Sequence, residues 1–154
     1  LVVLTEVNPI RLGQAREAAF IDHALSGTAE GLTDTLHELA GGLFDCAVEC
    51  SGNQRAATMA LESIKPGATL TMLAYGSGPQ VDSFSFINDE KRIQGGVFFT
   101  PEDFERVIAM MADGRIDIRQ YAEIITMDDA QDTFLGLDNG TKNAQKYVIK
   151  ITSE

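Results

Sequence analysis

The chain has 154 residues, 44% apolar and 23% charged, and its 12 basic against 23 acidic residues give a formal charge of −11. That length and mix suit an ordinary globular chain with a buried core. The acidic balance argues against nucleic acid and anionic membrane surfaces as partners, but leaves room for a nucleotide held in a local donor-rich pocket.

Residues 1–4 (LVVL) form a continuous apolar run, the pattern of a strand covered on both faces. Asn8 followed by Pro9 predicts a helix start, with Leu12, Ala15 and Ala19 recurring at helical spacing. Residues 20–25 predict a short strand. A helix is expected over 29–40, where Leu32, Leu36 and Leu39 make one stripe and Gly41–Gly42 stops it. FDCAVEC, residues 44–50, reads as the next strand, and Ser51, Gly52 and Asn53 as a turn and cap. Its two cysteines, Cys46 and Cys50, are spaced by four on one face, too far apart for a disulfide. They are expected to be buried thiols in a reducing compartment. No Cys-x-x-Cys or His-x-x-x-His supports a metal site.

Ala57, Ala60, Leu61 and Ile64 follow helical spacing, and Pro66–Gly67 is expected to end that helix and lead into a strand over 68–74. Residues 75–88 read as a loop and 92–99 as a strand. Thr100-Pro101-Glu102-Asp103 predicts a strong helix start, with Phe104, Val107, Ile108 and Met111 as a buried stripe and Gly114 as the stop. A strand over 122–125, a helix over 128–137 and a final strand over 146–151 complete the pattern. Strands alternating with helices define an α/β class with a mainly parallel sheet. With no signal peptide and no long apolar span, the chain reads as soluble and cytoplasmic.

Glu6 carries the sharpest chemical signal. A carboxylate at the C-terminal edge of a parallel strand can accept hydrogen bonds from a ribose diol and repels a 2′-phosphate, favouring NAD over NADP. A solvated loop acid is the plainer alternative. Arg11 is near enough in sequence to reach the same ribose, or to be an ordinary surface charge. ECSG, AYGSG and QGGVFF place small residues at three further strand ends, where ligands approach parallel sheets; tight turns requiring positive φ would explain the glycines equally well. His23 and His37 have no nucleophile or base partner in the sequence pattern and read as surface or structural residues. No phosphate-binding P-loop and no G-x-G-x-x-G is present. No catalytic residue and no metal ligand is assigned.

In order and spacing, LTEVNPIRLGQAR, FDCAVECSG, IKPGATLTML, RIQGG, FERVIAMMADGRID and QKYVIKI resemble the medium-chain, zinc-type alcohol/polyol/threonine dehydrogenase family over nearly the whole chain. The resemblance implies an incomplete Rossmann-like, doubly wound α/β sheet with C-terminal helices and strand. Residues 1–98 would be a partial dinucleotide-binding domain, and 99–154 a segment that in the family returns to the substrate domain. It implies NAD as cofactor, with Glu6 as the ribose acid and Arg11 its basic neighbour. Cys50, Ser51 and Gly52 would lie beside the adenosine half, and Leu73, Ala74 and Tyr75 would pack on the nicotinamide. Gly96 and Phe98 would hold the carboxamide, and Lys146 would lie near the pyrophosphate. Ala74 and Ala19 stand where the family usually has Gly, and Ala68 replaces the second Gly of its Pro-Gly-Gly.

In that family the zinc-bearing substrate domain, the first strand and the glycine-rich turn come before the counterpart of Leu1, and the chain starts without Met. The expectation is a truncated oxidoreductase, inactive alone, with zinc confined to the absent domain. Without the first strand, backbone groups in mid-sheet need partners. Three outcomes are expected: LVVLT pairs with FDCAVEC, a homo-oligomer fills the gap, or the rest of the same enzyme does. An adenosylmethionine-dependent methyltransferase-like domain, which shares the ribose acid and a strand like IKPGATLTML, is one alternative. A non-catalytic module with an assembly role is another.

Overall fold

The computed structural model describes residues 1–142 and 144–151. The chain divides into two compact units, Leu1–Phe98 and Phe99–Glu154.

In the first unit strands and helices alternate: β1 (Val3–Glu6), α1 (Pro9–Glu17), β2 (His23–Ser26), α2 (Leu32–Ala40), β3 (Phe44–Glu49), α3 (Gln54–Glu62), β4 (Ile64–Met72), α4 (Ser83–Asn88) and β5 (Arg92–Gly95). β1 and β2 pair in parallel, and β3, β4 and β5 form a second parallel sheet in that order. This is the α/β architecture that the alternating pattern predicts. The expected pairing of the first strand with FDCAVEC is not formed among the described residues, and β1 and β3 belong to different sheets.

Local chemistry explains the helix ends. Asn8 Oδ1 accepts from the Ile10 and Arg11 N–H groups at 2.9 and 3.1 Å, and Pro9 occupies the first turn, where no N–H is needed. Asn53 caps α3 in the same way, accepting from Arg55 and Ala56. Gly41, at φ 63°, ends α2 by turning its N–H back to Glu38, while Gly42 reaches His37.

Leu61, Ile64 and Leu70 form the core of the three-stranded sheet, with Phe44, Ala47, Ala60, Met72 and Phe86 against it. Ile64 belongs to β4 rather than to the preceding helix, which stops at Glu62. Ile64 is fully buried in the strand, and a helical stripe calls for the same apolar residue, so spacing alone could not separate the two. β4 likewise starts before Pro66–Gly67 instead of after it. The register passes from Phe44↔Ile64 to Cys46↔Thr69, so the Pro-Gly pair bulges out of the ladder. The Gly67 N–H and carbonyl are then satisfied by the Asp89 carbonyl and the Arg92 guanidinium at 2.7 and 2.6 Å.

Other expectations change. α2 starts at Leu32, the presumed loop 75–88 contains α4, and β5 stops at Gly95. The opening strand is not covered on both faces: Leu1 and Val2 are exposed, and Val3 and Leu4 are only partly covered. Cys46 and Cys50 are exposed rather than buried, because β3 is an edge strand and Cys50 lies beyond its end.

The second unit holds α5 (Pro101–Ala112), a 3₁₀ turn at Arg119–Tyr121, β6 (Ala122–Thr126), α6 (Ala130–Asp138) and β7 (Lys146–Lys150). β6 and β7 pair in parallel. Thr100 and Asp103 make the reciprocal capping box expected for α5. The stripe Phe104, Val107, Ile108 and Met111 is not buried; these residues are 39–53% exposed. Among the described residues no helix is long and apolar enough to cross a membrane.

Candidate functional site

The C-terminal ends of β3, β4 and β5 lie in one row, because Glu49 is in register with Met72 and Met72 with Gly95. One residue further on, Leu73 N–H donates to the Glu49 carbonyl and Gly96 N–H to the Met72 carbonyl, each at 2.9 Å. Three predicted segments, 50–52, 73–75 and 96–98, therefore emerge side by side. Gly96 lies against the Leu73 side chain: a Cβ there would lie 2.8 Å from Leu73 Cδ2, which would have to turn aside.

Two of the segments meet at their turns. Gly52 has φ 68°, and a Cβ on it would collide with the Tyr75 carbonyl oxygen. A Cβ on Gly76 would collide with the Gly52 carbonyl oxygen, which accepts from Ser77 N–H at 3.0 Å. Tyr75 is 87% exposed at this junction, and Ala74 is partly covered. Phe98 is 90% exposed and takes φ 57°, a left-handed conformation that costs a non-glycine residue about 1–2 kcal/mol.

Glu6 ends β1 and forms a separate cluster with Arg11. Its Oε1 accepts from Val7 and Asn8 N–H, both at 2.8 Å; Arg11 Nε donates to Oε2 at 2.8 Å and the guanidinium also reaches Oε1 at 3.3 Å. The Arg11 hydrogen bond, opposed by partial burial and reinforced by the Asn8 and Val7 N–H groups, holds the Glu6 carboxyl below the usual carboxylate range. Arg11 is raised in turn by the same hydrogen bond. Glu6 is thus a fixed anion at a strand end and not a free loop acid.

Lys146, in the second unit, is exposed at the start of β7. At Cys50, desolvation and then the Glu49 charge push the thiol up. Among the described residues no group of three His, Cys, Asp or Glu side chains could hold a metal ion.

One residue stands out that the sequence reading passed over. Glu49 closes β3 only 4% exposed, and its carboxylate accepts from Ser51 N–H at 2.7 Å, from the Ser51 hydroxyl, and from Gly52 N–H at 3.0–3.1 Å. Desolvation would raise its pKa, but the Ser51 and Gly52 donors outweigh it and the net direction is downward. The signal was available: an acid at a strand's last position, two residues before Ser-Gly.

A family model described as zinc-binding dehydrogenase matches residues 1–113, and the chain belongs to that family. The L-threonine 3-dehydrogenase of Ruegeria pomeroyi is 28% identical over 146 residues, covering 90% of this chain and 42% of that enzyme. Among solved structures, benzyl alcohol dehydrogenase from Acinetobacter calcoaceticus superposes with a TM-score of 0.86 at 16% identity, over 99% of this chain and 43% of that one. A zinc-binding-dehydrogenase-like protein from Sinorhizobium meliloti 1021, solved bound to NADP, matches with a TM-score of 0.71 at 22% identity, over 86% and 40%. The chain spans less than half the length of the curated relatives it matches. Its fold is that of the Rossmann-like half of zinc-dependent dehydrogenases, and the family assignment displaces the methyltransferase-like alternative.

Proposed function

We propose that this chain binds a nicotinamide dinucleotide, NAD in preference to NADP, as the cofactor-holding part of an alcohol- or polyol-oxidising dehydrogenase. The observation that carries the reading is Glu6, an ionised carboxylate fixed by two backbone N–H groups and Arg11 at the end of a parallel strand. Such an anion accepts ribose hydroxyls and opposes a 2′-phosphate. The close backbone approach of Gly52 and Gly76 keeps these two turns free of their own side chains where a flat ligand would lie.

In this reading Glu6 and Arg11 hold the adenosine ribose, and Cys50, Ser51 and Gly52 flank the adenosine. Leu73, Ala74 and Tyr75 pack on the nicotinamide, and Gly96 and Phe98 hold its carboxamide through backbone groups. Bound, the nicotinamide would accept hydride from an alcohol. The described residues offer no zinc site, so no metal-assisted step is assigned to them. The chain alone supplies cofactor orientation and no alcohol oxidation. It works in the cytoplasm, and the outer edges of β1 and β3 are covered by a second copy or by a further part of the same enzyme.

Titration with NADH, NADPH and adenosylmethionine tests the reading by fluorescence and calorimetry. Saturable NADH binding, with NADPH weaker by at least about tenfold, is expected. Equal affinity for NADPH would remove the role given to Glu6, and binding of adenosylmethionine alone would overturn the reading.

A further inference from the structure

Glu49 is buried, yet all the hydrogen-bond partners of its carboxylate belong to the turn that follows it. A carboxylate is taken out of water at a strand end only where its lone pairs are met, and three donors from Ser51 and Gly52 meet them here. The arrangement has two consequences. The first is geometric. With its N–H drawn inward, Gly52 presents its carbonyl oxygen to Ser77 N–H at 3.0 Å, so the anchored turn also supports the turn after β4.

The second is chemical. A strand–turn–helix junction ordinarily offers free N–H groups to a phosphate. Here the Ser51 and Gly52 N–H groups are consumed by Glu49, and those of Arg55 and Ala56 by Asn53 Oδ1 at 3.0 and 3.2 Å. Asn53 N–H is taken as well, by Ser51 Oγ at 3.1 Å. Five of the junction's N–H groups, those of Ser51, Gly52, Asn53, Arg55 and Ala56, are thus taken, and a negative charge lies behind them. The junction is closed to phosphate and suits a neutral, donor-bearing part of a ligand, such as a hydroxyl or an amino group.

We infer that Glu49 is a positioning residue for the dinucleotide, fixing the 51–52 turn so that this strand end receives the adenosine side of the ligand and rejects its phosphates. The inference rests on the dinucleotide reading given above, and acts through Ser51 and Gly52 without Glu49 touching the ligand.

The test uses the 154-residue chain and its Glu49→Gln, Glu49→Asp and Ser51→Ala variants. NADH affinity is read by fluorescence, folding by thermal melting, and the Ser51, Gly52 and Ser77 amides by ¹H–¹⁵N NMR. In the wild type, NADH shifts those three amides and inorganic pyrophosphate does not. Glu49→Gln weakens NADH by about tenfold and moves the Ser77 amide although Ser77 does not bond to Glu49; Glu49→Asp recovers part of both. If Glu49→Gln does not fold, Ser51→Ala carries the test, with NADH weakened about threefold. A folded Glu49→Gln, or failing that Ser51→Ala, with wild-type NADH affinity overturns the inference and leaves the dinucleotide reading standing. Amide shifts with pyrophosphate overturn the claim that the turn is closed to phosphate. A wild-type chain that binds no NADH overturns the dinucleotide reading itself, and this inference with it.

Discussion

Replacing Arg11 by methionine separates charge from packing at the Glu6 cluster. The substitution keeps much of the aliphatic stem and removes both guanidinium bonds to the carboxylate, at 2.8 and 3.3 Å. Side-chain exposures of 45% for Arg11 and 21% for Glu6 place the pair where solvent screens it strongly. Its contribution is therefore about 0.5–1 kcal/mol, and not the ~1.5–3 kcal/mol of a desolvated charged hydrogen bond. For a unit of this size that lowers Tm by about 2–8 °C. The pH dependence gives the sharper check. Glu6 has its folded pKa below its unfolded one, so its stabilisation is fully present above the unfolded pKa and is lost as pH falls through the folded pKa. The gap between wild type and R11M should be constant at neutral pH and close in acid. A cycle with Glu6→Gln isolates the pair energy, and a ¹³C carboxyl titration should show the Glu6 pKa rising in R11M. A stability gap that persists unchanged below both pKa values would show that the substitution removed packing and not the ion pair.

Leu70→Ala opens a cavity in the core cluster that Leu70 shares with Leu61 and Ile64, and should destabilise by about 2–5 kcal/mol, measured by urea unfolding. Gly76→Ala drives a methyl group against the Gly52 carbonyl, and should shift the Ser77 and Gly52 amide resonances and weaken NADH binding without unfolding the sheet. Native-state hydrogen exchange should be slowest for the β4 amides of Leu70 and Thr71, since β4 is bonded on both sides; β3 should exchange faster along its free edge.

The elements were legible where one residue type had one physical use. Asn8-Pro9, Asn53 and the Thr100–Asp103 pair each announce a helix start because their side chains can cap donors that nothing else reaches. Ile64 was misplaced because a buried aliphatic residue serves a helix stripe and a strand equally well. The stripe on α5 was correctly apolar, but periodicity reveals a face and not what covers it, and the exposed thiols of β3 follow from an edge that only pairing reveals. At the site, Glu6 announced itself as an acid ending an apolar run. Glu49 has the same position in its own strand, but with Asp45 in the same short run it looked like one polar residue among others. Its role depends on donors two and three residues later folding back onto it.

The contact between the turns of Gly52 and Gly76 is reciprocal: a side chain on Gly52 would strike the Tyr75 carbonyl just before Gly76, and one on Gly76 would strike the Gly52 carbonyl. Neither position can vary unless the opposite turn moves as well, so the two loops constitute one heritable unit. In a randomised library, enlarged residues at position 52 or 76 should survive only with compensating changes in the other loop. Grafting either loop alone into a related scaffold should fail, and exchanging both together should succeed.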